Sequence, residues 1–524
     1  MNSDLQRVTH TTRQAVHRID ATREMERAAA EDLPAHTLMQ RAGLSVAKLA
    51  LAIAPHTQTV WIACGPGNNG GDGLEAAMHL KLWGKNPIVT WLGAPDKAPA
   101  DAAQSRWRAI NADVEFADGP PRQFDLCIDA LLGLGASSGS APGNRPIEAR
   151  MALWIAQMNA APAPVLAVDL PTGLNADTGQ AGPTCVQAQF TLSLLTLKPG
   201  LFTAHGRDAS GEVWFDSLAR PEQPGGAAVG VLGTPPNPAN PVLPTAWLTG
   251  MPSFQPRPHA SHKGSFGDVA VIGGASGMTG AALLAASAAL HFGAGRVFVS
   301  LLDGGAMAVD PNQPELMFRA LDALDLKRMT VVCGCGGGDA VHQPLAKVLS
   351  TCALAVIDAD AINSIAIDSQ LQTLLRARAR RGQATVLTPH PLEAARLLKL
   401  DALQIQQDRL GAAQQIADQF ACVVALKGSG TVVAAPGLTP AINPTGDARL
   451  ATAGTGDVLA GMVGARLAGC FASGFATKAQ KNANHLAFNA ACDAVYLHGL
   501  AAELEPASKA LTASALIQRL ASAR

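Results

Sequence analysis

Gly454, Thr455, Gly456 and Asp457 bring a backbone of almost no side-chain bulk up against a carboxylate, in the stretch LATAGTGDVLAGMVGARLAG (residues 450–469). After Asp457 the apolar Val458, Leu459, Met462, Val463 and Leu467 recur at helical spacing, so a glycine loop runs straight into a helix N-terminus. Unpaired N–H groups and the helix dipole at such a place stabilise an anion, most usefully a transferring phosphoryl group. Asp457, at the edge of that cradle, has the chemistry to accept a proton from a hydroxyl attacking phosphorus. The same residues also suit an ordinary glycine turn in which Asp457 is the N-cap.

A second glycine-rich stretch, CGPGNNGGDG (64–73), carries Asn68, Asn69 and Asp72 directly after the short apolar run TVWIA (59–63) and before a helical pattern over 74–82. Strand, glycine loop and helix form a recurrent dinucleotide or phosphate site in doubly wound sheets. The loop is not GxGxxG, and asparagine and aspartate also tolerate left-handed backbone, so plain turn chemistry is the alternative. FDLCIDALLGLG (124–135) ends a buried run at Asp129, and VLAVDLPTGLNADTG (165–179) ends another at Asp169. Ligands in open α/β sheets bind outside the carboxyl ends of the strands, so these acidic loops are expected to converge on one crevice. Farther on, LAVIDADAIN (354–363) puts Asp358 and Asp360 at a strand end. TVLTPHPLEAARLL (385–398) brings His390 and Glu393 to a strand-to-helix junction, and VVALKGSGTVVAAP (423–436) reads as a hairpin whose turn offers Lys427 and backbone N–H groups.

The elements that must position these residues form two α/β regions. Residues 21–54 read as helical, and the strand, turn and helix signals then repeat. Residues 280–290, GAALLAASAAL, are too short to span a membrane and read as a buried helix feeding a strand at 296–302. The segment around 220–262, rich in proline, glycine and alanine, lacks sustained periodicity. The expected organisation is a domain over 1–220, a linker over 221–251 and a second domain over 252–524. At 524 residues the chain can bury sizeable cores, and its 48% hydrophobic and 15% charged residues with net charge −1 offer no electrostatic basis for binding nucleic acid or an acidic membrane. Nine cysteines, odd in number and without CxxC spacing, read as small buried residues of a reducing compartment. The charged N-terminus lacks the apolar core of a secretory signal, so a cytoplasmic location is expected.

GPGNNGGDG, with LMQRAG (38–43) upstream and VDLPTGL downstream, resembles the N-terminal domain of the NAD(P)H-hydrate epimerases over most of residues 12–216. The resemblance implies a Rossmann-like α/β fold in which Asn68, Asn69, Gly70, Gly71 and Asp72 hold the hydrated nicotinamide nucleotide. By the same resemblance Asn69, Asp129 and Thr172 ligate a potassium ion, and Gly133, Leu134, Gly135, Ala136, Ser137, Ser138 and Gly139 touch the substrate. Asp169 is then the acid/base beside the reacting ring. Oxygen ligands suit a hard cation, and epimerisation at a hydrated ring carbon requires proton traffic. The chain departs from the family after GLG, where ASSGSAPG intervenes before Asn144 and Arg145.

From residue 252 to 521 the succession of segments is similar to the ribokinase-like NAD(P)H-hydrate dehydratases. What this implies is an adenine-nucleotide site at Lys427, Gly428, Ser429, Gly430, Thr431 and Gly456, and contacts to the hydrate from Ala281, Gly338, His390 and Asp457. The family tends to have glycine where this chain has Leu392 and proline where it has Cys335. The two resemblances together imply a bifunctional repair enzyme, isomerase and lyase, acting on NADHX and NADPHX. Its implied cofactors are K+ in the first domain, Mg2+ in the second and ADP or ATP as phosphoryl donor, and a homo-oligomer is expected. The alternative is a ribokinase-like small-molecule kinase with a fused, non-catalytic nucleotide-binding module.

Overall fold

The computed structural model describes residues 5–31, 33–137, 147–218, 242–254, 256–305, 307–472 and 483–523. These fall into two compact units. One holds the described residues up to Thr9 and Arg13–Trp247, the other His10–Thr12 and the residues from Leu248 onward. Within the segment expected as linker, Ala246–Leu248 forms a short strand, and residues 221–241 lie outside the described residues.

In the first unit the sheet runs from edge to edge as Gln6–Arg7, Glu212–Asp216, Phe190–Leu194, Val165–Val168, Leu126–Ala130, Thr59–Cys64, Asn86–Trp91 and Glu115–Ala117. Every neighbouring pair is parallel except the first. Thr59–Cys64 is buried from Val60 onward because both faces are covered, as parallel strands require. Val60, Ile62 and Cys64 join one apolar cluster, while Trp61 and Ala63 join another on the opposite face. From Thr59–Cys64 the chain moves outward to Asn86–Trp91 and Glu115–Ala117, then returns to the other side at Leu126–Ala130. That reversal is a topological switch point, the place where open sheets leave a crevice.

The second unit has a sheet in the order Met317–Phe318, Arg296–Leu301, Asp268–Gly273, Thr330–Cys333, Leu354–Ile357, Ala384–Leu387, Val423–Leu426, Val432–Ala434 and Ala441–Ile442. It is parallel through Val423–Leu426 and ends in antiparallel pairs, the first of which is the expected hairpin. Here the switch point lies between Asp268–Gly273 and Thr330–Cys333. The helices Thr279–His291 and Thr455–Ala472 pack closely because small residues face each other: a Cβ on Gly461 would sit 2.0 Å from the carbonyl oxygen of Ala285. The expected buried helix over 280–290 is therefore one half of this pair.

Two expectations of local structure are corrected. The helical stretch over 21–54 is two helices, Ile19–Glu31 and Thr37–Ile53. Pro34 has no N–H to donate and restricts Leu33, and His36 caps the second helix in left-handed conformation, at φ 69°. The glycine stretch over 64–73 is loop only as far as Gly67, for Asn68 opens the helix Asn68–Leu82. Asn68, Asn69, Gly70, Gly71 and Asp72 thus form its first turn. None of the nine cysteines is in a disulfide, and seven are buried. No helix among the described residues is long and apolar enough to cross a membrane.

Candidate active sites

In the first unit, the carboxyl ends of the strands open on a cavity of about 740 Å³. Asn68, Asn69, Asp72, Gly133, Leu134, Gly135 and Asp169 line it, as do Glu26 and Lys198. Gly70, Gly71, Asp129 and Thr172 are buried instead of lining it. Ser138 and Gly139 lie outside the described residues, and of Ala136 and Ser137 only the backbone turn Leu134–Ser137 is described.

Asp169 follows Val165–Val168 with a left-handed backbone, at φ 65°. Its carboxylate accepts from the Leu194 N–H at 3.1 Å and is ion-paired with the ammonium of Lys198, itself 1% exposed. Lys198 also donates to the Leu194 carbonyl at 2.8 Å, so the pair is clamped to the end of Phe190–Leu194. Asp72 sits in a shell of acids. Removal from water, then the charges of Asp169, Glu26, Glu75 and Asp101, hold its carboxyl well above the usual range. Burial, then Asp169, raises Glu26 as well.

Asp129 is fully buried, and burial pushes it up to about 6. It does so against three bonds that favour the charge: Thr172 donates from N at 2.8 Å and from Oγ1 at 2.7 Å, and Leu131 donates from N at 3.2 Å. The side-chain nitrogen of Asn69 is buried without a hydrogen-bond partner, and its Oδ1 lies against Gly133, 3.1 Å from where a Cβ would stand.

In the second unit, Asp457 is the third residue of Thr455–Ala472, and Gly454 before it adopts φ 88°, a turn open to glycine at no steric cost. Asp358, 1% exposed, accepts on Oδ1 from Lys427 Nζ at 2.7 Å and from Thr388 Oγ1 at 2.7 Å. Ligand atoms of Cys335, Asp358 and Asp457 all lie within 4.8 Å of one another. Lys427 reaches the helix N-terminus, its ammonium 3.4 Å from the position a Cβ on Gly456 would take. Its N–H donates to the Pro389 carbonyl at 2.9 Å, which ties the hairpin turn to the His390 loop.

Burial and the nearby Asp358 raise Asp457 to about 7. Burial likewise lifts Glu393 to about 7. Burial works against the charge of Lys427, yet Asp358 and Glu393 outweigh it and its ammonium is held above the usual range. His390 Nδ1 accepts from the Leu392 and Glu393 N–H groups, leaving Nε2 3.2 Å from Glu393 Oε1. Burial and Lys427 lower its pKa. Gly338 packs on Met278, donates to Asp360 at 2.8 Å and shares its turn with Gly336, which packs on Ala281. Gly428 and Ser429 are exposed at the hairpin tip, Gly430 is buried and Thr431 closes the turn on the Gly428 carbonyl at 3.2 Å. Lys427, Gly456, Asp457 and His390 are thereby brought together around Asp358.

Sequence reasoning missed Lys198, Glu26 and Arg409. Lys198 had a signal, for it stands just past the end of Phe190–Leu194 as Asp169 does past Val165–Val168. Arg409, 2% exposed, donates to the Leu426 and Lys427 carbonyls beneath the hairpin turn, and nothing in its helical surroundings marks it out.

A sequence profile for NAD(P)H-hydrate dehydratase matches residues 269–523, and one described as YjeF-related protein N-terminus matches residues 35–200. The bifunctional NAD(P)H-hydrate repair enzyme Nnr of Escherichia coli is 33% identical over 497 residues, 93% of this chain and 88% of that protein. The protein of the same name from Moorella thermoacetica is 36% identical, over 83% of this chain and 84% of its own length. Among solved structures, the ADP/ATP-dependent NAD(P)H-hydrate dehydratase of Bacillus subtilis aligns with 52% of this chain and 93% of its own, at 28% identity and a TM-score of 0.42. Both halves of the chain are matched, in the same order, by relatives that carry both: the chain belongs to the bifunctional NAD(P)H-hydrate repair enzymes.

Proposed function

We propose that this enzyme interconverts the R and S hydrates of NADH and NADPH in its first unit and dehydrates the S form in its second, with ADP or ATP as phosphoryl donor. The observation that carries the reading is Asp457: a carboxylate at the first turn of a glycine-led helix, beside Lys427, with its proton affinity raised to about 7. A general base works best when its pKa lies near the operating pH.

Hydroxide is a poor leaving group from the reduced ring. Asp457 takes the proton of the ring hydroxyl as that oxygen attacks the terminal phosphorus of the nucleotide. The bond from phosphorus to its bridging oxygen breaks, and AMP leaves if the donor is ADP. The N–H groups from Gly454 to Gly456 and the Lys427 ammonium stabilise the charge on the transferring group. The ring nitrogen lone pair then expels phosphate, and loss of a proton from the adjacent ring carbon restores the dihydronicotinamide. Lys427, Gly428, Ser429, Gly430 and Thr431 hold the nucleotide, and Ala281, Gly338 and His390 hold the hydrate. Mg2+ accompanying the nucleotide would add positive charge at the phosphates as the transfer proceeds.

In the first unit the ring nitrogen expels hydroxide and re-addition on the other face inverts the centre, with Asp169 moving the proton. Lys198 supports the role by holding the Asp169 carboxylate in place. The donor set fits potassium: Asp129, Thr172 and Asn69 offer oxygens, and a fully buried carboxylate bonded to no basic side chain among the described residues lacks a countercharge. A potassium ion held by Asn69, Asp129 and Thr172 would supply that charge.

The test is one assay. Mixed hydrate epimers are incubated with ADP or ATP, potassium and magnesium, and dihydronicotinamide absorbance is followed to completion. The parent is expected to restore all of the cofactor, and Asp457→Asn to lose about 100- to 10,000-fold in rate, the usual worth of a general base. A small-molecule kinase would instead accumulate a stable phosphoester, and a non-catalytic first unit would leave one epimer unrepaired.

A further inference from the structure

The mechanism leaves a buried thiol of the second site unused. Cys335 is completely buried in the turn after Thr330–Cys333, at a position where the resemblance would have put proline. Its backbone is clamped, since its carbonyl accepts from the Gly274 N–H at 2.9 Å and the next carbonyl, of Gly336, accepts from the Ala275 N–H at 2.7 Å. The thiol is therefore presented from a fixed point. Sγ donates to Asp358 Oδ2 at 3.9 Å, and a carboxylate oxygen of Asp457 lies within 4.8 Å of the sulfur.

The two oxygens of Asp358 have different neighbours. Oδ1 takes both strong donors, Lys427 and Thr388, whereas Oδ2 faces the thiol. Two carboxylates this close repel, and in a site shielded from water the repulsion is felt strongly. Lys427 offsets the charge of Asp358 from one side only. The thiol has a single proton, which it can turn from Asp358 Oδ2 to Asp457 when that carboxyl ionises, because Lys427 and Thr388 still hold Asp358 through Oδ1. A metal ion is a poorer occupant of this trio, because Lys427 already supplies the countercharge.

We propose that Cys335 is a positioning residue for the dehydration: its thiol, set between Asp358 and Asp457, lets Asp457 ionise beside a carboxylate that is already charged. The proposal rests on the reading of Asp457 as the base. The charged or titratable groups facing Asp457 are Asp358, Cys335, Lys427 and Asp360, of which the carboxylates oppose its ionisation while Lys427 and the thiol favour it.

The experiment is the pH profile of kcat/KM for dehydration of the S hydrate with ADP, on the full-length protein and its Cys335→Ala and Cys335→Ser variants. Deleting the thiol is expected to move the acid limb upward by about half a pH unit or more, as loss of a hydrogen bond to a carboxylate does. Serine, a stronger donor, is expected to hold the limb at or below the parent's position. A purely structural cysteine would alter rate or melting temperature in both variants while leaving the limb in place, and that result overturns the proposal. An upward displacement in the serine variant overturns it too, and serine alone decides if the alanine variant does not fold. Asp457→Asn, run in parallel, separates the two readings. If it still dehydrates at the parent's rate, the base assignment has failed; if it collapses while the Cys335 variants keep the parent's limb, only the role of Cys335 has failed.

Discussion

At the scale of single residues, the second site trades stability for reactivity. Asp457 is raised to about 7, mainly by burial and then by Asp358, and as the proposed base it would act in the ionised form. Dehydration should therefore rise with pH through about 7 and, well below it, fall about tenfold per pH unit, as a single-base limb does. Glu393 is raised to the same region, so Glu393→Gln is the control: it should keep the limb that Asp457→Asn abolishes. The stability consequence has the opposite sign. A carboxyl whose folded pKa exceeds its unfolded one stabilises the fold while protonated, and that contribution is lost as pH rises through the folded value. Asp457→Asn should thus gain melting temperature over the parent above about pH 7 and little near pH 4, measured by thermal unfolding across pH.

At the scale of elements, the seam between Thr279–His291 and Thr455–Ala472 sets where the glycine turn before Asp457 sits. A methyl on Gly461 would have to displace the backbone carbonyl of Ala285, not a flexible side chain. Gly461→Ala should cost about 1–3 kcal/mol by denaturant unfolding, despite the better helix propensity of alanine, because overpacking cannot relax there. Strands and helices at this level were largely legible. Buried runs such as VVAL and TVWIA ended where turn residues began, and a KGSGT turn between two such runs can close only a hairpin. The break at Pro34 and the helical start at Asn68 were not, since three asparagine or aspartate residues among glycines look alike in a loop and in a first helical turn. The candidate sites were legible where chemistry coincides with a strand end, as at Asp129, Asp169, Asp358 and Lys427. Lys198 also stands past a strand end, but its partner Asp169, like the Asp358 partner of Cys335, lies past the end of another strand, and local spacing does not reveal such pairings.

At the scale of the whole chain, two sheets with separate switch points carry the two proposed half-reactions, and whether the epimer leaves one site before reaching the other is open to a direct test. Full-length Asp169→Asn is expected to repair only the S share of an epimer mixture on a timescale faster than spontaneous exchange, and Asp457→Asn to repair none. Mixing the two variants should restore complete recovery of absorbance, and failure to do so would show that the epimer is not released between the sites. The cysteines follow a pattern of their own. Seven of nine are buried, and burial drives those of Cys64, Cys127, Cys185, Cys333, Cys335 and Cys422 far from the thiolate form. Alkylation of the native protein should add mass at no more than Cys470 and Cys492, read by intact mass. Peroxide then finds almost nothing nucleophilic to attack, so a catalyst that salvages spoiled cofactor would itself outlast the oxidising episodes in which other thiol enzymes fail.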